Sequence, residues 1–182
     1  EIAYQLAGTN LASTIAAKNA EVATAFGLNS VDIISTIPTD INTTKAANDA
    51  AGKFGTVLAA ISQMGENSSK DDNPIVTITA LVNDMRDSGT IEGRDSFDIV
   101  KAIKMFANST GDNNKRNGPG AANIDLSTGE GSVIGDLSIA FIDAYGGTGT
   151  TVPTVLQYAD AGVTGVTANN HEAVNAAVAN QP

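Results

Sequence analysis

The sequence predicts an all-α fold: a bundle of about five helices followed by a C-terminal helical hairpin. Three observations carry this. Apolar residues recur at three- and four-residue spacing in several separate stretches. Small side chains dominate, with 28 Ala and 18 Gly against 8 aromatics, which suits close helix–helix approach. Glycine, proline and polar clusters fall where those stretches should start and stop.

The elements follow in order. Residues 3–26 read as one helix, with Leu11, Ile15, Val22 and Phe26 on one face and Gly27 as its stop. Residues 28–43 read as extended or turn-like, because VDIIST is β-branched and Pro38 pushes Ile37 out of the helical region. The strongest helix is 45–64, where Ala47, Ala50, Phe54, Val57, Ile61 and Met64 form a core-facing stripe ending at Gly65.

After the polar loop 65–73, Asn73 and Pro74 supply an N-cap and a first helical residue. A helix then runs to Met85 through Ile75, Ile78 and Leu81, although the β-branched TITALV also suits a strand over 75–79. Asp95 and Ser96 cap a helix over 97–108, faced by Phe97, Val100, Ile103 and Phe106. Residues 109–131 are irregular, and a connection that long is usually functional or mobile. Residues 133–145 are helical through Ile134, Leu137, Phe141 and Tyr145. GGTGTT (146–151) reads as a hinge, dividing a body, 1–145, from a hinge plus hairpin, 146–182. The hairpin helices are 153–161, closed by Gly162, and 169–180, capped by Thr167 or Asn169.

Composition excludes much chemistry. With no Cys there is no disulfide, thiolate metal site or Cys nucleophile. One His excludes a three-His zinc site. Twenty acidic against ten basic residues give a net charge of −10, which argues against nucleic acid. No apolar run approaches the length of a membrane span. The chain begins at Glu1 with no basic and apolar leader, and reads as a mature product or, in preference, a segment of a longer protein. Abundant Thr, Asn and Ser, few charges and missing Cys match many bacterial extracellular structural proteins.

The nearest approach to a metal motif is Asp84–Asp95. Aligned on the twelve-residue calcium loop, Asp84 takes position 1, Ser88 position 5, Gly89 the turn glycine, Thr90 position 7, Glu92 position 9 and Asp95 position 12. Arg86 at position 3 opposes a cation, and a capped helix–loop–helix turn is the competing reading. Glu66, Asp71 and Asp72 sit before a helix N-terminus, where acids are stabilising without any metal. Asp112, Asn113, Asn114, Asp125 and Glu130 form a third acidic group in the long loop. His171 reads as an exposed residue in the first turn of the last helix. Asn42, Asn67 and Asn108 open N-x-[ST] sequons, at a frequency expected by chance. No GxSxG, HExxH or GxxxxGK[ST] occurs, and Gly118-Pro-Gly120 lies in a loop.

The segment PTVLQYADAGVTGVTANNHEAVNAAVA (153–179) follows the pattern YxxAGVTGVTxxNxxAVNxAV. It resembles a repeat hairpin found in tandem in large bacterial surface and adhesin-like proteins. VDIISTIPTDI…AAGKFGTVLAAISQM (31–64) and LVNDMRDSGTIEGRD (81–95) also look like a helical module of such proteins. His171 departs from the pattern, where an apolar residue such as Leu is common. The resemblance implies an extracellular structural or adhesive role and no catalytic residues.

The expected function is therefore a non-catalytic structural or adhesive module of a large extracellular bacterial surface protein, with calcium as a candidate stabiliser. Its partners would be neighbouring modules or identical subunits, with no nucleic acid and no membrane insertion. The alternative is a self-assembling subunit of an extracellular filament or surface layer. An enzyme acting on polysaccharide or peptide is disfavoured, since nothing fixes a carboxylate pair and the chain has no Trp.

Overall fold

Eight helices and no strand occur among the described residues of the computed structural model. It describes residues 1–8, 11–29, 31–41, 43–67, 74–88, 91, 93–108, 124–147 and 151–180. The helices are α1 (Ile2–Ala7), α2 (Leu11–Ala25), α3 (Ala50–Asn67), α4 (Pro74–Ser88), α5 (Gly93–Asn108), α6 (Val133–Gly147), α7 (Val155–Asp160) and α8 (His171–Ala179).

The first predicted helix is two. Gly8 ends α1 with φ +60°, a conformation that costs a side-chain-bearing residue about 1–2 kcal/mol. α2 then packs on α1 instead of continuing it. The helix predicted from residue 45 starts at Ala50, because the Asp49 side chain accepts the Gly52 N–H at 2.8 Å and caps it there. The residue buried before that cap is Ala46, whereas Ala47 is exposed. α3 also runs past Gly65 to Asn67.

Pro74 opens α4 as predicted. The TITALV stretch is helical, with the Thr79 hydroxyl donating to the Ile75 carbonyl at 2.7 Å. α5 begins at Gly93, so Asp95 and Ser96 lie inside the helix rather than ahead of it. α6 continues through Tyr145 to Gly147, two residues into the predicted hinge; residues 148–150 lie outside the described residues.

α3 packs on α4 and α5, and α6 packs on α5, α2 and α3. The core between them holds Val57, Ala60, Leu81, Ile99, Ile103, Ile134 and Leu137, all at most 2 % exposed. Of the stripe predicted for α3, Val57 is fully buried, and Ala50, Phe54, Ile61 and Met64 lie partly buried against the core. The irregular segment after α2 seals this core with Leu28, Val31 and Ile41. It runs so close to α3 that a Cβ on Gly55 would lie 2.4 Å from the Thr39 carbonyl oxygen. Within it the Asp32 carboxylate accepts the Ile34 N–H and the Ser35 hydroxyl, a turn that leaves Ile34 and Ile37 projecting.

Leu81→Ala should lower stability by about 2–5 kcal/mol, since nothing solvates the vacated space. Ile37→Ala, at an 85 % exposed position, should change it by less than about 0.5 kcal/mol. Paired urea titrations of both variants read the difference.

Candidate functional site: the seam between body and hairpin

The C-terminal segment is built from local signals. Thr154 and Gln157 form a reciprocal capping box at the start of α7: the Thr154 N–H donates to Gln157 Oε1 at 2.7 Å, and Thr154 Oγ1 accepts the Gln157 N–H at 3.4 Å. Gly162, at φ +85°, ends α7 as predicted. The Val163 N–H reaches back to the Tyr158 carbonyl and the Gly162 N–H to that of Ala159, a Schellman ending.

The turn into α8 is organised differently from the prediction. Asn170, not Thr167 or Asn169, is the N-cap residue. Its side chain holds the preceding turn, accepting the Thr167 N–H at 2.6 Å and donating to the Gly165 carbonyl at 2.9 Å. The two short helices are joined by a buried bridge. The Tyr158 hydroxyl donates to Asn175 Oδ1 at 2.7 Å, and Asn175 Nδ2 donates to the Pro153 carbonyl at 3.0 Å. Burial raises the Tyr158 hydroxyl pKa above its ordinary value of 10, and Tyr145 nearby adds to the rise. His171 is half-buried rather than exposed, and its Nδ1 atom is buried without a partner in the structure.

α7 and α8 both pack on α6. The seam is closest where backbone meets backbone. The Gly129 N–H donates to the Asp160 carbonyl at 2.8 Å, and the Gly129 carbonyl accepts the Ser132 hydroxyl at 2.8 Å. Ser132 in turn caps α6 by accepting the Gly135 N–H at 3.0 Å. A Cβ on Gly135 would stand 1.8 Å from the Gly129 carbonyl oxygen, and one on Gly162 would stand 2.9 Å from the Gly129 Cα. Across the same seam Lys104 of α5 reaches the buried Asp160 carboxylate at 2.6 Å. Asp136, on the first turn of α6, accepts the Gly131 N–H at 2.7 Å and pairs with Lys53 of α3 at 3.1 Å.

Beside this seam lies a groove of about 240 Å³ between α5, α6 and α7. Val100 and Met105, Leu137 and Phe141, and Leu156 make its apolar walls. Lys101, Ser138, Gln157 and the Lys104–Asp160 pair are its polar lining residues. Ser138 is 1 % exposed, and its hydroxyl has no hydrogen-bond partner in the structure.

The predicted calcium residues sit elsewhere. Asp84 and Ser88 lie in α4 and Asp95 in α5, while Thr90 and Glu92 fall outside the described residues, as do the side chains of Ser88 and Asp95. Helical backbone runs from Asp84 through Ser88, so the first five positions are not loop. Arg86 is turned to α1, where it donates to the Gln5 carbonyl at 3.3 Å. Among the described residues no three acidic or His side chains are gathered as a metal site. Glu66 lies within α3; Asp71, Asp72, Asp112, Asn113, Asn114 and the 118–120 glycines lie outside the described residues. Asp125 holds its own turn, accepting the Ser127 N–H at 2.9 Å, and hydrogen bonds from Ser127 keep its carboxyl below the ordinary range.

The sequence reading missed Lys104, Ser138, Asp160 and Asn175. Asp160 and Asn175 were within the hairpin pattern, and Thr154–Gln157 carried a capping-box signal. Nothing local marked the other two.

Gly135→Ala should cost at least about 2 kcal/mol, and Gly162→Ala about 1–3 kcal/mol, because each forces apart two backbones. Gly165→Ala is the control: the same φ of +85° but open space around it, hence about 1 kcal/mol. Thermal melts rank the three. Alkaline melts test Tyr158. A hydroxyl whose pKa is raised in the fold contributes stability that is complete below pH 10 and is lost as pH rises through the folded value. Tyr158→Phe should be less stable at neutral pH and should show a shallower loss above pH 10.

Compared with known protein families, curated proteins and solved structures, the chain matches none of them.

Proposed function

We propose that the chain is a non-catalytic structural or adhesive module of a large extracellular bacterial surface protein, acting by presenting its faces to neighbouring modules. The supporting observation is how the hairpin uses its residues. In the pattern YxxAGVTGVTxxNxxAVNxAV, Tyr158 and Asn175 bond each other, Gly162 ends α7, and Asn170 braces the turn at Gly165. These distinctive side chains hold the hairpin in shape, and Ala173, Ala176 and Ala177 face outward from α8. Small outward residues on a rigid element suit repeated close contact.

Calcium at Asp84, Ser88, Thr90, Glu92 and Asp95 belongs to the same proposal. Its signature is a thermal midpoint that rises between EDTA and millimolar calcium. An unchanged midpoint removes the ion and leaves the structural role standing.

A self-assembling filament or layer subunit is the second reading, favoured by Ile34 and Ile37, which project at 69 % and 85 % exposure. Light scattering over a concentration series reads it, with Ile34→Asp/Ile37→Asp expected to abolish any high-mass species.

The principal test uses antibodies raised against the chain. They should label intact source cells and detect, on a denaturing blot, a polypeptide much larger than 18.5 kDa. An 18.5 kDa band confined to the cytosol overturns the proposal.

A further inference from the structure

The hairpin lies along α6 from end to end. Gly162, at the close of α7, meets Gly129 just ahead of α6, and Gly146, near the close of α6, meets Val178 near the close of α8. So α7 runs antiparallel to α6, and α8 runs back beside it. Between Gly147 and Val155 the chain therefore turns back and lays the hairpin on the helix that precedes it.

Two properties set the hairpin apart from the body it covers. It is braced from within, because the Thr154–Gln157 box, the ending at Gly162 and the Tyr158–Asn175–Pro153 bridge all bond its own residues to each other. Its seat is also keyed to one occupant. Lys104 takes a carboxylate at 160, the Gly129 N–H takes the Asp160 carbonyl, and a Cβ at 162 would stand 2.9 Å from the Gly129 Cα. A braced element, folded back on a specific seat through a short connection, is the arrangement from which identical elements exchange between copies. The connection reaches far enough. From Gly147 to Pro153 it spans about 20 Å when extended, close to the length of α6 itself, about 22 Å.

From this we propose that the seat on α5, α6 and Gly129 is an interaction surface for the same hairpin of a second copy, and that two chains join by exchanging residues 153–180. Each seam contact then recurs between copies: Lys104 of one with Asp160 of the other, the Gly129 N–H with the Asp160 carbonyl, Gly146 against Val178. The exchange gives up none of these contacts, so concentration decides between the two forms. Neighbouring modules of one polypeptide stand at a high effective concentration, which makes the exchange a means of linking them. That use rests on the structural-module reading; the exchange itself is read on the purified chain, so either can fail without the other.

The ion pair of the seam supplies the test. Lys104→Asp sets two acids against each other there, and Asp160→Lys sets two lysines. Neither variant then has a matched seat for its own hairpin or for that of an identical copy. Mixed, the two match through exchange: the Asp160 hairpin of the first meets Lys104 of the second, and the altered hairpin of the second meets the altered α5 of the first. Native mass spectrometry should show each variant alone near 18.5 kDa and the equimolar mixture at twice that mass. The heterodimer Kd should lie at least about a hundredfold below that of either variant with itself. Circular dichroism verifies that both variants stay helical; if they unfold, a disulfide trap decides. The chain has no Cys, and a Cβ at Gly146 lies 3.3 Å from Val178 Cγ1, so Gly146→Cys/Val178→Cys brings two sulfurs within bonding reach. This variant is oxidised at about 1 mM as an equal mixture of isotope-labelled and unlabelled chains. Peptide mapping should find residue 146 of labelled chains joined to residue 178 of unlabelled ones. A mixture of helical variants that stays monomeric, or 146–178 links confined within single chains, overturns the proposal.

Discussion

The close approach of Gly129 to Gly135 and Gly162 is the constraint around which the C-terminal half is arranged. Three backbones meet there: the turn before α6, the first turn of α6 and the end of α7. A side chain at Gly135 or Gly162 would run into Gly129, so only glycine there lets the elements approach to hydrogen-bonding distance. The Gly129 N–H then reaches the Asp160 carbonyl, and Ser132 caps α6 in the same turn. The tolerance is a fraction of an ångström, because the blocking groups are backbone atoms and no rotamer can relieve them. Asp160 adds a second tie, since its side chain is 7 % exposed and is held by Lys104 from α5. Burying that carboxylate without its partner would carry a large desolvation cost.

The same seam borders the groove. α7 is tied at its C-terminal end by the glycines and by Asp160, and Leu156, one turn earlier and 54 % exposed, lines the groove against α5 and α6. The hairpin is meanwhile stabilised internally by the buried Tyr158–Asn175–Pro153 chain, in which hydroxyl, amide and carbonyl are all partnered.

Much of the helical content was legible because its signals are local. Pro74 at the head of α4, Gly162 at the end of α7, and the apolar spacing of α5 and α6 act within one or two turns of where they stand. Boundaries failed where a local signal met a stronger one. The predicted helix from residue 45 yielded to the Asp49 cap, and α3 continues through the predicted stop at Gly65 to Asn67. For the Asp84–Asp95 stretch the described part is helix through Ser88, with Arg86 donating to the Gln5 carbonyl of α1, while Thr90 and Glu92 lie outside the described residues.

By itself the sequence determined the class: all helical, acidic, free of cysteine chemistry and closed by a hairpin whose turn residues are encoded in place. These are properties of composition and of contacts a few residues apart, which depend little on where the rest of the chain lies. Only the tertiary structure decided which glycines are indispensable, that Lys104 pairs with Asp160 across 56 residues, and that the Ser138 hydroxyl is buried without a partner. Each of these depends on the distance between segments remote in sequence, and that distance is set by how the whole core packs.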